Sequence, residues 1–248
     1  MNIPQLYPQH CAIIPTLPGT WSLPQAKRRY NPQVTHQRRR KPMAKKAIPD
    51  IIIGRLPIYL RALERMQQAG QKITSSKDLS ARLGFSAAQI RKDLSQFGEF
   101  GKQGTGYHVE YLSKQLRAIL NINKVWDVAI VGAGDVGSAL AHYKGFVNRG
   151  FQATLIFDND PAKIGKKVGN LIVQDTAEMV QTIREAGVKI AMIAVPADHA
   201  QEVADQLVEA GVKAILNYAP VQLSVPEDVH VEYIDPATRL QKMTYYLE

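Results

Sequence analysis

The architecture of this chain can be worked out from one run of residues, Val128-Ala-Ile-Val-Gly132-Ala-Gly134-Asp-Val-Gly137. Its first four residues predict a buried strand, its glycines form the pattern G-x-G-x-x-G, and the residues after Gly137 predict a helix. Gly132 permits a tight turn, Gly134 lets a pyrophosphate approach the backbone, and Gly137 lets the helix pack against the strand. The pyrophosphate would lie at the helix N-terminus, where free N–H groups favour an anion.

A second strand and an acidic residue follow the glycines. Ala153-Thr-Leu-Ile-Phe157 predicts a strand that ends at Asp158, about 20 residues further on, where this motif places an acid for a ribose hydroxyl. The segment 158–160 has no Arg or Lys for a 2′-phosphate, so NAD(H) is favoured over NADP(H). A glycine turn with no ligand remains the alternative. The cofactor residues predicted here are Gly132, Ala133, Gly134, Asp135, Val136, Gly137 and Asp158.

Strands and helices alternate after Asp158. We predict strands at 171–173, 190–195, 214–216 and 229–234, and helices at 176–186 and 200–210. This alternation predicts an α/β fold with a doubly wound, mostly parallel sheet. Ligands of such sheets bind outside the carboxyl ends of the strands. We therefore expect six further residues near the nicotinamide half of the cofactor: Ala194, Val195, Pro196, Asn217, Tyr218 and Ala219.

Charge and cysteine content restrict the class of protein. Residues 47–124 contain twelve basic and six acidic residues, whereas residues 125–248 contain ten basic and sixteen acidic ones. A basic segment of this kind suits a polyanion partner. The single Cys11 excludes a disulfide framework and favours a reducing compartment, so we expect a cytoplasmic protein. No run of about 18 apolar residues occurs, and residues 1–20 lack a basic region followed by an apolar core, so we expect neither a membrane span nor a secretory signal.

The first 46 residues differ from the rest of the chain. They contain nine Lys or Arg residues, seven prolines and no acid, a composition typical of disorder. Three interpretations stay open: a basic arm that adds nonspecific DNA affinity, an inert extension, or a true translation start at Met43.

Residues 47–124 carry a helix-turn-helix pattern. An apolar helical face formed by Ile52, Leu56, Tyr59, Leu63 and Met66 is interrupted near 55–57 by a proline. A capping signal at 75–78 opens a short helix to about residue 83, and Ser86 opens a second helix to about residue 97. Two short helices joined by a glycine predict a helix-turn-helix, the second helix entering a major groove. Its predicted DNA contacts are Ser86, Gln89, Arg91, Lys92 and Ser95.

A glycine-rich segment follows the second helix. Four glycines between Phe97 and Tyr107 predict a β-ribbon, or wing, before an amphipathic helix at 109–120. Lys102 would contact phosphate or the minor groove, and the predicted wing contacts are Lys102, Gly104 and Tyr107. A plain helical domain with a solvated basic face is the alternative.

The sequence offers little catalytic machinery. His199, at the start of a predicted helix, is the one candidate acid or base, and no Ser-His-Asp or metal-ligand spacing occurs. We therefore expect no catalytic residue and no metal. The competing interpretations are an NAD(H)-dependent oxidoreductase with a basic helical appendage and a CoA-binding Rossmann module.

With these residues in view, the chain resembles the redox-sensing transcriptional repressor Rex family over residues 47–248. The resemblance rests on several ordered motifs: Arg91-Lys-Asp-Leu-Ser95 with Phe97-Gly98, Gly104-Thr-Gly-Tyr107, the run 132–137, Phe157-Asp-Asn-Asp-Pro161 with Lys163-Ile-Gly165, Ala194-Val-Pro196, and Ile215-Leu-Asn-Tyr-Ala-Pro220.

The resemblance implies a domain order and a function. It implies a winged helix at 47–124 (helix-turn-helix about 58–97), a Rossmann domain at 125–235, and a helix at 236–248 swapped between the subunits of a homodimer. The protein would sense the NADH/NAD⁺ ratio, with NADH releasing it from operator DNA, an inverted repeat. Lys163 joins the cofactor residues, and an interdomain switch would link Arg61, Tyr143 and Asp235.

Two departures bear on these expectations. Some relatives carry an aromatic residue directly after the aspartate that matches Asp235, whereas Pro236 stands there in this chain. The terminal helix, with Leu240, Met243 and Leu247 on one face, would also be short and would hold the dimer less tightly.

Overall fold

The computed structural model describes residues 48–102 and 104–247, apart from the side chain of Lys102. The predictions for the basic extension at 1–46, for Cys11 and for the Lys102 side chain lie outside the described residues.

Within this part of the chain, the helices are α1 (Asp50–Ile53), α2 (Leu56–Gln68), α3 (Ser76–Leu83), α4 (Ala87–Ser95), α5 (Val109–Ile119), α6 (Asp135–His142), α7 (Met179–Ala186), α8 (Ala197–Glu209) and α9 (Pro236–Thr244). Short 3-10 turns lie at Lys144–Arg149 and Thr176–Glu178. The strands are β1 (Ile73–Thr74), β2 (Gly101–Lys102), β3 (Gly106–His108), β4 (Trp126–Val131), β5 (Phe151–Asp158), β6 (Lys167–Val168), β7 (Leu171–Asp175), β8 (Ile190–Ile193), β9 (Ala214–Asn217) and β10 (His230–Tyr233).

The N-terminal elements form a winged helix. They comprise helices α1–α5 and a small antiparallel sheet in the order β1-β3-β2. Strands β2 and β3 are the predicted wing, in which Lys102 pairs with Gly106. The predicted apolar face of α2 is confirmed, since Leu56, Tyr59 and Leu63 are fully buried against α3, α4 and α5. Strand β1 was not predicted, because two residues carry no periodicity.

Side-chain caps fix the two helices of the helix-turn-helix. Ser75 and Asp78 form a complete capping box at the start of α3, and Ser86 Oγ accepts from Gln89 N at the start of α4. Gly84 ends α3 with φ +76°, a left-handed conformation that favours glycine. These local signals confirm the predicted boundary between the two helices, although α4 ends at Ser95 rather than near 97.

The second half contains a seven-stranded sheet in the order β10-β9-β8-β4-β5-β7-β6. All its pairings are parallel except the edge pair β6–β7. The chain places β5, β6 and β7 on one side of the central strand β4 and then β8, β9 and β10 on the other side, so the strand order reverses between β4 and β8. Ligands of doubly wound sheets bind at such a switch point.

Two apolar layers cover this sheet. Side chains alternate along β4, so Val128 and Ile130 pack in one cluster, whereas Ala129 and Val131 pack in the other with α7 and α8.

The bounds of some helices differ from the prediction. Helix α8 begins at Ala197, directly after Pro196, whose ring suits the residue that precedes a helix, and α9 ends at Thr244.

In the part of the chain that the structure describes, every helix is too short or too polar to cross a lipid bilayer.

Candidate functional site

The three glycines after β4 have three different environments. Gly132 has φ +99°, and an added Cβ would lie 2.5 Å from the Ala194 carbonyl oxygen. A Cβ on Gly137 would collide with the Gly132 carbonyl oxygen, whereas a Cβ on Gly134 would meet nothing within 4 Å. The turn and packing roles predicted for the outer glycines therefore agree with the geometry, and the middle glycine leaves the backbone open to the cleft.

The N-terminus of α6 faces this opening. The first intrahelical bond runs from Ser138 N to the Gly134 carbonyl oxygen (2.8 Å), so the N–H groups of Asp135, Val136 and Gly137 have no acceptor within the helix. Such groups, together with the helix dipole, favour a phosphate. The residues present therefore fit the pyrophosphate of a dinucleotide.

Asp158 is the centre of a hydrogen-bond network at the end of β5. Its Oδ2 accepts from Ala133 N (2.7 Å) and Lys163 Nζ (3.1 Å), and its Oδ1 accepts from Asp160 N (2.9 Å). Burial by itself would raise the pKa of Asp158, but the backbone donors and Lys163 outweigh it and hold the pKa below its ordinary value. The carboxylate thus stays charged, and it ties the glycine turn to the neighbouring strand.

A cleft of ≈ 700 Å³ lies between these loops, within the range of small-molecule sites. It brings together nine of the predicted cofactor residues: Gly132, Gly134, Asp135, Val136, Asp158, Lys163, Ala194, Val195 and Pro196. The sequence prediction missed several further lining residues, although the loop after Asp158 and the start of a helix after Pro196 were signals for them. These residues are Asn159, Asp160, Thr176, Glu202, Val203 and Gln206.

The loop after β9 does not line this cleft. Asn217 is fully buried, and its side-chain amide bonds to backbone groups of Ala219 and Val221. Ala219 instead borders a neighbouring hollow beside α9, and burial raises the pKa of Tyr218. Contact of Asn217, Tyr218 and Ala219 with a nicotinamide therefore stays a prediction. The asparagine holds the shape of its own loop.

His199 is exposed at the start of α8, and it lines the cleft. Its backbone N–H donates to the Pro196 carbonyl oxygen (3.1 Å). Among residues 48–102 and 104–247, no group of three His, Cys, Asp or Glu side chains is arranged to hold a metal ion.

The recognition helix α4 presents an exposed polar side. Arg91, Lys92 and Ser95 are exposed there, and Arg91 donates to Ser76 Oγ on α3 (2.9 Å). Gly104 in the wing is also exposed, whereas Tyr107 is half-buried and packs against the core. The geometry places the predicted DNA contacts of α4 and the wing on one small unit, and their roles stay predictions.

A buried carboxylate on α4 was missed by the sequence prediction. Asp93 is fully buried, and it accepts four hydrogen bonds, from Arg55 Nε (2.6 Å), Arg55 Nη2 (2.8 Å), Tyr59 Oη (2.6 Å) and Gln89 Nε2 (2.6 Å). Burial would raise the pKa of Asp93, but these donors lower it overall. The signal in the sequence was that Asp93 stands at a position of the helical pattern that faces the core, where a charged side chain needs a partner.

The three predicted switch residues do not contact one another within this chain. Asp235 caps α9 by accepting from Ala237 N and Thr238 N. Tyr143 Oη accepts from Arg149 Nη1 (3.0 Å). Arg61 is exposed on α2 and lines a cleft that Arg149 also lines. Of the three residues, only Arg61 and Tyr143 therefore lie near a common residue, Arg149.

Helix α9 has an apolar side without a partner in the described chain. Leu240 and Met243 are 62% and 61% exposed, and no residue of the helix is buried. Within the described residues, this side of α9 is therefore not covered by its own subunit.

Comparison with known proteins agrees with this two-part arrangement. A family model described as "Putative DNA-binding protein N-terminus" matches residues 47–95, and one described as "CoA binding domain" matches residues 123–221. The redox-sensing transcriptional repressor Rex of Chloroflexus aggregans is 54% identical over 199 residues, which are 80% of this chain and 94% of the relative. Rex 1 of Thermotoga maritima is 47% identical over 204 residues, which are 82% and 97%.

Solved structures of RSP, a Rex-family repressor, match the fold. RSP in complex with β-NAD⁺ and operator DNA has a TM-score of 0.78 and 40% identity, covering 82% of this chain and 93% of that chain. RSP in complex with β-NADH has a TM-score of 0.74 and 38% identity, covering 82% and 95%. With a winged helix, a dinucleotide-type cleft and relatives matched over nearly their whole length, this chain belongs to the redox-sensing transcriptional repressor Rex family.

Proposed function

We propose that this protein is a DNA-binding transcriptional repressor that senses the NADH/NAD⁺ ratio and leaves its operator when NADH binds. The observation that carries the proposal is the presence, in one chain, of a winged helix and a cleft built for a dinucleotide, in a family whose member RSP has been solved with NADH and with NAD⁺ and operator DNA. A repressor of this kind acts by binding rather than turnover, in the cytoplasm where its DNA lies.

The ribose end of the cleft favours NAD(H) over CoA or NADP(H). CoA and NADP(H) carry a phosphate on the adenosine ribose. Lys163 is the one lysine or arginine that lines this described cleft, and it is already paired with Asp158 (3.1 Å) and Asp160 (3.9 Å). A ribose phosphate would meet two carboxylates, whereas a free hydroxyl can donate to them.

The far end of the cleft offers a means of distinguishing the two redox states. The nicotinamide ring is neutral in NADH and cationic in NAD⁺. Ala194, Val195 and Pro196 are apolar, and burying an unpaired charge against them is unfavourable. A ligand can shift the protein between two forms only by the difference between its affinities for those two forms. A shift from 1:99 to 99:1 requires about 5.5 kcal/mol of differential binding in total.

DNA binding would use α4 in the major groove and the wing beside it. Ser86, Gln89, Arg91, Lys92 and Ser95 would contact the groove and phosphates, with Lys102, Gly104 and Tyr107 contributing from the wing. Each DNA phosphate that a basic side chain neutralises releases counterions, so the logarithm of the association constant should fall linearly with the logarithm of the salt concentration. Lys92→Ala should reduce that slope by about 0.9 for each phosphate contact that it removes.

We further propose that the working form is a homodimer held partly by α9. The exposed Leu240 and Met243 need an apolar surface. A cleft of ≈ 440 Å³ between α2, α5 and β5, lined by Pro57, Ile58, Leu60, Leu120 and Phe151 among others, offers one of suitable character. A second copy of the chain would supply the helix, and this would explain why the described residues of one chain cover neither surface.

In such a dimer, Arg61, Tyr143 and Asp235 would couple the two halves of the protein. Their separation within one chain, with Arg61 exposed and Asp235 at the start of α9, supports a contact made between subunits. Double-mutant cycles on NADH-driven release from DNA should give coupling energies of about 0.5–3 kcal/mol. Additive effects would reject the coupling.

The direct test is enrichment of fragmented genomic DNA on the purified protein at fixed salt, with NADH, with NAD⁺ and with neither. We expect a shared inverted repeat that is retained with NAD⁺ and lost with NADH. Enrichment that ignores both nucleotides would reject redox sensing. Since His199 lines the cleft, NADH oxidation with oxo and hydroxy substrates should be measured alongside, because turnover would favour the oxidoreductase.

A further inference from the structure

The proposed recognition helix carries a carboxylate whose hydrogen-bonding capacity is completely used. Arg55 and Tyr59 supply three of the four donors to Asp93, and Gln89, one turn earlier on α4, supplies the fourth through Nε2 at 2.6 Å. A carboxylate has about four acceptor sites. Asp93 therefore has no free site with which to contact DNA, and its effect on recognition must pass through its neighbours.

The ionised state of Asp93 determines which way the Gln89 amide points. An amide has one face that donates and one that accepts, and either can be turned toward a neighbour. An ionised carboxylate only accepts, and the pKa of Asp93 lies below its ordinary value. The Nε2 of Gln89 must therefore face Asp93. Arg55, which pairs with Asp93 from the start of α2, holds the carboxylate in place.

As a consequence, the edge of the Gln89 amide that faces away from Asp93 has a fixed orientation. One N–H of Nε2 and the Oε1 acceptor remain available for a ligand. Gln89 lies in the first turn of α4, half-buried, and its backbone N–H is capped by Ser86. The N-terminal residues of a recognition helix are those that contact base edges. Adenine presents N7 as an acceptor and N6–H as a donor, which this edge matches, whereas guanine presents two acceptors.

We infer that Gln89 is a specificity-determining residue that reads an adenine in each half of the operator, and that Asp93 and Arg55 are positioning residues that keep its amide in the adenine-reading orientation. The inference rests on the proposed DNA-binding function and adds a base and a residue to it. A bidentate amide–adenine contact distinguishes adenine from other bases by about 5- to 140-fold.

The test is selection from duplexes randomised across the half-site, on the full chain with NAD⁺ at fixed salt. The wild type should show one adenine position in each half-site that Gln89→Leu makes indifferent, with the preferences at the other positions unchanged. Leucine keeps the helical propensity of the side chain and removes the amide. Gln96→Leu, an exposed position after the same helix, is the matched control and should leave every preference unchanged.

Asp93→Asn tests the positioning role. It gives the group that faces Gln89 a donor as well as an acceptor, so the amide can take either orientation. Discrimination of adenine from guanine at the same position should fall at least fivefold. A purely structural role would instead lower the affinity for all sequences by the same factor. If Asp93→Asn lacks the wild-type circular dichroism spectrum, Arg55→Lys, which keeps the charge but not the two-pronged contact, takes its place.

The outcomes separate this inference from the function on which it rests. If the wild type enriches an inverted repeat but Gln89→Leu leaves every preference intact, the readout by Gln89 is wrong and the repressor function stands. If the position that Gln89→Leu affects is not adenine, the orientation argument is wrong. If the wild type enriches no sequence, both fail.

Discussion

The backbone N–H of Ala133 donates a 2.7 Å hydrogen bond to Oδ2 of Asp158, across the adjacent carboxyl ends of β4 and β5. The acid that the sequence assigns to a ribose hydroxyl therefore also holds the glycine turn in shape. Because Lys163 and Asp160 N bind the same carboxylate, the loop after β5 and the turn after β4 behave as one structure. Nucleotide binding and loop geometry are linked through a single side chain.

Asp158→Asn should weaken NADH binding by about tenfold or more. The amide would turn an N–H toward at least one of the donors that Asp158 now accepts, and leaving a buried donor unpaired costs about 1–3 kcal/mol. Asp127→Asn is the matched control, because Asp127 is exposed near the start of β4 and does not line the cleft. Isothermal titration with NADH measures both. Equal affinities for the two variants would contradict the role of Asp158.

Gly134→Ala should weaken NADH binding without lowering the melting temperature, whereas Gly137→Ala should lower the stability of the protein. The first places a methyl group in the open cleft, so we expect an unchanged melting temperature and an affinity for NADH lower by about 10- to 100-fold, since charge-assisted hydrogen bonds contribute about 1.5–3 kcal/mol each. The second drives a methyl group into the Gly132 carbonyl oxygen, and overpacking typically costs 1–3 kcal/mol. Thermal unfolding and NADH titration on both variants check the pair; a melting temperature lowered by Gly134→Ala would contradict it.

Because of Asp93, the free energy of unfolding of the winged helix should fall at acidic pH. Its pKa in the folded protein is below the unfolded value of about 3.9. Its stabilising contribution is therefore complete above that value and is lost as the pH falls through the folded-state pKa. At neutral pH, Asp93→Asn should lower the free energy of unfolding by about 3–5 kcal/mol, because Arg55 loses its buried partner.

Urea unfolding followed by circular dichroism across a pH series measures this effect. The difference between wild type and Asp93→Asn should narrow as the pH falls below about 4. A difference that is constant with pH would show that the Asp93 carboxylate is not charged in the folded protein.

Leu240→Asp should dissociate the proposed dimer without unfolding the chain. Burying a leucine contributes about 1.5–3 kcal/mol, and symmetry doubles this, so the association constant should fall by about 100-fold or more. Gln241→Asp adds the same charge at the next, exposed position of α9 and is the control. Sedimentation velocity gives the oligomeric state. A dimer that survives Leu240→Asp unchanged would show that α9 does not hold it.

The sequence predicted those parts of the molecule that are coded locally. The Ser75–Asp78 capping box and Gly84 marked the helix-turn-helix because a cap is satisfied within a few residues. The glycine turn was predictable because its three glycines lie within six residues, directly after a buried strand and at the start of a helix.

Contacts between distant segments were not predictable in the same way. Arg55 and Asp93 are 38 residues apart, and neither residue type alone reveals its partner. Likewise, the sequence places Asn217 at the end of β9 but does not reveal that its amide bonds to the backbone of its own loop. The fate of a polar side chain depends on which donors the fold brings to it.

We propose that NADH and operator DNA bind preferentially to two different forms of one protein. It is tested most directly by titrating NADH into a preformed complex of the protein with its enriched duplex, while fluorescence anisotropy reports bound DNA and NAD⁺ is held constant. We expect NADH to release the DNA, and a higher concentration of NAD⁺ to move the midpoint of release to a higher concentration of NADH. If NADH binds, as its own fluorescence would report, while the DNA stays bound, the account is wrong.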